Sequence, residues 1–157
     1  MKVIFSGNWL PGSAAIRILT QARWHHCGVI RGDTVIESRM FKGVTLTDID
    51  EFKARGKWAI IDIPMSEEQE DIAINFMLGE TGSGYDYSGI FAVLFVRREW
   101  QNPRKWYCSE IIAAACAAAN KPIARTKVAG VSPRDIWIQA FECTESNVPE
   151  LVTRLEV

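Results

Sequence analysis

A chain of 157 residues with 48% hydrophobic and 24% charged side chains has the size and composition of one folded domain, spanning residues 1–157, and wholesale disorder is excluded. Its 18 Lys plus Arg balance 19 Asp plus Glu, and a net charge of -1 gives no electrostatic case for nucleic acid or an anionic membrane. No stretch approaches about 20 uninterrupted apolar residues, and Asn8, Pro11 and Gly12 break the N-terminal run, so neither a membrane span nor a signal peptide is predicted. The expectation is a cytoplasmic protein with reduced thiols.

In chain order, "KVIFSG" (Lys2 to Gly7) predicts a strand, and "GSAAIRILTQAR" predicts a short helix capped by Ser13. Two β-branched runs around Arg31-Gly32-Asp33 predict a hairpin. In "TLTDIDEFKARG" Thr47 is the expected cap of a short helix, and "KWAIIDIP" reads as a strand stopped by Pro64. Ser66 and Gln69 form a capping-box pattern before a helix whose expected apolar face is Ile72, Phe76 and Met77. "IFAVLFV" (Ile90 to Val96) fits a buried strand or a buried helix equally. The alanine-rich run from Ser109 to Asn120 predicts a helix by propensity, and Ser132-Pro133 predicts another helix start. "LVTRLEV" reads as a final strand. Strands and helices do not alternate regularly, so the expected class is α+β with an antiparallel sheet.

The four cysteines, Cys27, Cys108, Cys116 and Cys143, match no zinc-finger spacing. Cys108 stands at the start of the alanine-rich helix, where unpaired N–H groups and the positive helix end favour a thiolate, the nucleophilic form. The competing reading is a small buried hydrophobe. The only two histidines, His25 and His26, are adjacent at the start of a strand, so one can face a site while the other faces elsewhere, the competing reading being a surface pair at the sheet edge. Antiparallel pairing about Gly32 brings the region of Glu37, on the second arm, beside that of His26, so Glu37 is either an ordinary solvent-facing glutamate or a carboxylate that can fix an imidazole tautomer. A zinc site on His25, His26, Cys27 and Cys108 is a further alternative, but consecutive ligands suit a tetrahedral cage poorly.

The order His, Glu, Cys, with "HHCGVI", "VIES", "GYDY" and "WYCSEI", resembles the circularly permuted papain-like hydrolases related to the NlpC-type cell-wall peptidases, the YiiX-like branch in particular. The resemblance runs from about Trp24 to Ile138. It implies a papain-like α+β fold in permuted order, with an antiparallel sheet carrying the histidine and a helix carrying the cysteine at its N-terminus. It also implies Cys108 as nucleophile, His26 as general base and then acid, and Glu37 as orienter, with Tyr85 and Tyr107 bordering the substrate. No metal or organic cofactor is implied. The opening segment, with a helix where the family has a strand, resembles versions encoded in phages and prophages.

Three functions fit this reading. One is a cysteine peptidase or amidase, a thiol hydrolase acting on peptide, peptidoglycan-type or small amide or ester bonds. The others are a catalytically idle binding or assembly protein of the same fold, and an acyltransferase using the same thiol. Oligomeric state and the bond attacked are not legible in the sequence.

Overall fold

The structure, a computed structural model, describes residues 1–7, 23–85, 105–123, 128, 131–139, 143–148 and 151. The helix expected over residues 12–23, apart from Arg23, the run Ile90 to Val96 and almost all of "LVTRLEV" lie outside them.

The described elements form an α+β architecture. Strands β1 (Lys2–Gly7), β2 (His26–Arg31), β3 (Thr34–Arg39), β4 (Gly43–Asp48), β5 (Lys57–Asp62) and β8 (Cys143–Ser146) make one six-stranded sheet in the order β4-β3-β2-β1-β5-β8. Every pairing in it is antiparallel. Two short strands, β6 (Gly84–Tyr85) and β7 (Lys105–Trp106), pair in parallel beside it. The helices are α1 (Ile49–Lys53), α2 (Glu67–Gly79), α3 (Cys108–Ala118) and α4 (Pro133–Trp137).

The predicted hairpin forms, with Gly32 at φ 57°, the left-handed backbone that a two-residue loop requires at its first position. Ser66 and Gln69 close the predicted capping box of α2. Ser132 and Pro133 start α4, as expected, with Ser132 accepting from the Asp135 N–H. Two expectations are corrected. Thr47 belongs to β4, and the cap of α1 is Asp48, whose side chain accepts from the Asp50 and Glu51 N–H groups. The buried face of α2 is Ala73, Ile74 and Met77 with Phe76 packed partly buried beside it, so of the expected face only Ile72 is left exposed.

Strand alternation gives the sheet two apolar faces. On one, Val3, Phe5, Cys27, Val29, Ile36, Val44, Ala59 and Ile61 pack with α2, α3 and α4 in the main core. The alanines of α3 allow a close approach to β2 and β3, and Ile111, Ile112 and Cys116 fill the space between. On the other face, Ile4, Val35 and Ile60 form a smaller cluster beneath Phe52 of α1.

Gly28 sits at a point of closest approach. A Cβ there would stand 2.5 Å from Val35 Cγ1, 3.0 Å from the Ile36 carbonyl oxygen and 3.1 Å from Glu37 Cβ. Gly28→Ala is therefore expected to lower stability by about 1–3 kcal/mol through overpacking between β2 and β3. Thermal melting of the variant checks this, and an unchanged Tm would show that the two strands yield freely.

Candidate active site

The β2–β3 ladder runs from Arg31–Thr34 to Gly28–Glu37 and stops there. Cys27 and His26 remain paired only with β1, at Phe5 and Ser6. This open end of the strand pair is where α3 begins. Its position is set by Trp106, the residue two before Cys108: the backbone carbonyl accepts from Ser38 Oγ at 2.6 Å, and the indole Nε1 donates to Glu80 at 2.7 Å. The start of α3 is further tied down by Ser109 Oγ, which donates to the Val131 carbonyl at 2.6 Å. Glu110 accepts from the Tyr107 N–H at 3.2 Å, so this acidic first-turn residue closes one half of a cap.

Cys108 reaches both Cys27 and His26. His26 Nε2 lies 2.5 Å from Glu37 Oε2, which leaves the other ring nitrogen for Cys108. The imidazole stacks on Phe52, with centroids 5.8 Å apart and an interplanar angle of 24°. His25 lies just before the strand, its N–H donating to the Ser6 carbonyl. Glu37 is fully buried, and both of its oxygens are engaged. Oε1 accepts from Thr47 Oγ1 at 2.5 Å and from Arg55 Nη1 at 2.8 Å, and Oε2 accepts from the same Nη1 at 2.9 Å.

These contacts dictate the ionisation. Burial alone would lower the His26 pKa, but the hydrogen bonds and charges of Cys108 and Glu37 lift it to about 9. Burial would raise Glu37, but His26, Thr47 and Arg55 hold its carboxyl at about 2. Burial would also raise Cys108. A side-chain hydrogen bond from Cys27, the His26 bond and charge, and the Cys27 backbone N–H instead bring it well below the ordinary thiol value. The other three thiols go the other way: burial lifts Cys143, lifts Cys27 beside Cys108, and pushes Cys116 up to about 12. Of the four thiols, Cys108 alone is shifted toward the thiolate, and it faces a ring whose surroundings favour its protonated form.

Three of the five residues singled out in the sequence, Cys108, His26 and Glu37, come together. Tyr107 is the N-cap residue of α3, 5% exposed and part of the main core. Tyr85 pairs through β6 with Trp106, and its side chain and Asp86 lie outside the described residues. Sequence reasoning missed Phe52 and Arg55, and it gave Cys27 and Thr47 other roles, as a ligand in the zinc alternative and as a helix cap. The alternation of "GVTLTD" is the one signal that pointed to Thr47, as a strand residue on the face of Glu37.

No protein-family model matches the chain, and no curated protein does. Among solved structures it is similar to the metalloprotein YiiX of Escherichia coli O157:H7, a DUF1105 protein, with a TM-score of 0.68 and 20% identity over 91% of this chain and 93% of that one. What the fold and site define is therefore an α+β domain with a thiol–imidazole–carboxylate cluster at one end of its sheet. The particular likeness is to the YiiX fold.

That neighbour is a metalloprotein, and the side chains at the present site bear on whether an ion could sit here. Among the described residues no group of three or more His, Cys, Asp or Glu side chains could hold one. Glu37 has both oxygens bound to Arg55 and its neighbours, and His26 Nε2 is taken by Glu37. These residues do not fit a metal, and the chemistry below runs through none. Among the described residues no helix is long and apolar enough to cross a membrane.

Proposed function

We propose that this chain is a thiol hydrolase, built as a circularly permuted papain-like domain, that cleaves an amide or ester bond of a peptide, a peptidoglycan-type fragment or a small acyl compound. The observation that carries the reading is the single imidazole joining the buried Glu37 carboxylate to a thiol at the first residue of a helix.

In this reading the Cys108 sulfur attacks the carbonyl carbon, and the positive end of α3 faces the developing oxyanion. His26 gives its proton to the leaving nitrogen or oxygen as that bond breaks, leaving an acyl group on Cys108. His26 then takes a proton from water, whose oxygen attacks the thioester and releases the acid. Glu37 holds the imidazole in register throughout and keeps its own charge.

The test is trapping. Intact-protein mass spectrometry after exposure to p-nitrophenyl acetate and to peptide anilides is expected to show an acyl adduct mapped to Cys108, which disappears as product accumulates. An adduct spread over Cys116 and Cys143, or none across the probe set, would count against the reading.

A further inference from the structure

The charged and titratable groups around the His26–Glu37 pair come from every element packed on it. They are Cys108 from α3, Cys27 from β2, Arg39 from β3, Glu51 from α1 and Arg55 just after α1. Arg39 stays at 3.9 Å from Glu37 and turns to Glu51. Arg55 alone among these groups contacts both Glu37 oxygens, through Nη1, while its Nη2 is held by Glu51 at 3.1 Å. Its guanidinium also lies 5.1 Å from the centre of the Phe52 ring, the ring on which His26 stacks. One arginine therefore bears on the carboxylate and shares a platform with the imidazole.

We propose that Arg55 is a positioning residue of the site: by bridging both oxygens of Glu37 it fixes the carboxylate and sets how firmly His26 holds its proton. The argument is electrostatic. A buried carboxylate directed wholly at an imidazolium would stabilise it strongly, and a strongly held proton is a poor one to give to a leaving group. A cation on the same carboxylate draws off part of that charge. It also keeps Glu37 ionised when His26 becomes neutral in the catalytic cycle, so no uncompensated charge is left in a dry site. This role rests on the hydrolase reading for its purpose, though not for its measurement.

The experiment is an NMR titration of the His26 Cε1 proton. It is practical because the chain has only two histidines, and His25→Gln assigns the signals. In Arg55→Gln the midpoint is expected to rise by about one unit. Arg55→Lys, which restores the cation, is expected to return it most of the way. Repeating the change in a Glu37→Gln background is expected to shrink the shift to less than half, because the influence passes through the carboxylate. An unmoved midpoint in Arg55→Gln, or an equal shift without the Glu37 charge, would overturn the proposal even if the variant melts earlier. Arg55→Met serves if the Gln variant does not fold. Failure of the hydrolase reading is distinguishable: Cys108 would then acylate with no probe while the His26 midpoint still followed Arg55.

Discussion

In a His26→Ala variant, Cys108 is expected to lose its reactivity below neutral pH, its alkylation midpoint moving up by about two units or more. The reason is the balance of opposing effects at the sulfur. Cys108 is 1% exposed, and burial by itself disfavours the thiolate. The favourable side consists of hydrogen bonds from Cys27 and the bond and positive charge of His26. Without the imidazole the neutral donors of Cys27 and the partial charge of the helix end remain, too little to offset desolvation. The rate of iodoacetamide alkylation at each cysteine, followed against pH by mass spectrometry, checks this, with buried Cys116 as the internal control. At pH 6 the fall at Cys108 is expected to be on the order of tenfold to a hundredfold, below the full change in thiolate fraction because a more basic thiolate is also a better nucleophile. Overlapping curves for wild type and variant would mean that the histidine and the thiol do not act together.

Removing the carboxylate has the largest expected effect on stability. Glu37→Ala leaves the Arg55 cation, the Thr47 hydroxyl and the His26 ring facing an empty buried volume. Breaking a buried ion pair from one side costs about 3–5 kcal/mol, and for a chain of this length that is a Tm lower by roughly 10 °C. Glu37→Gln, which keeps the shape, is expected to lose less.

The pH dependence of wild-type stability follows from the same pair. Glu37 is more acidic when folded, so its contribution is complete above about 4.5 and is lost as pH falls toward about 2. His26 is more basic when folded, so its contribution is complete below 6.5 and is lost as pH rises through about 9. Thermal melts are expected to show stability falling as pH drops below about 4.5 in the wild type and a flatter acid limb in Glu37→Ala, while on the alkaline side the loss from His26 is opposed by Cys108, whose thiol is more acidic when folded and so gains stability as pH rises. Equal profiles would mean that the pair contributes nothing to folding.

The legible parts of the fold were those written in local chemistry. The Gly32 turn, the Ser66–Gln69 box, the Ser132-Pro133 start and the alanine run each specify backbone geometry within a few residues. The hairpin is also why Glu37 could be placed near His26, since a two-residue loop fixes the register of its arms. What was not legible depends on distant partners. Strand β8 is a short, mostly exposed edge strand that exists through its pairing with β5, and "CTES" has no apolar alternation of its own. Ile72 was assigned to the wrong face because α2 alone does not say where α3 lies. Cys27 entered only as a ligand in the zinc alternative, and it becomes a donor to Cys108 where the β2–β3 ladder ends. Nothing in "KARG" distinguishes Arg55 from a surface arginine until Glu37 is buried beneath it.

The back wall of the site has an uneven origin in the chain. Thr47, Glu51, Phe52 and Arg55 lie within nine consecutive residues, whereas the thiol beside His26 enters from Cys108, well beyond them in the sequence. The segment from the end of β4 through α1 is therefore a cassette, carrying hydroxyl, acid, ring and cation in one piece. Transplanting the chemistry to another sheet would mean moving that cassette together with the β2–β3 hairpin. The helix bearing Cys108 asks less of its host: a cysteine at its first residue, small side chains behind it, and an anchor like Trp106 ahead of it.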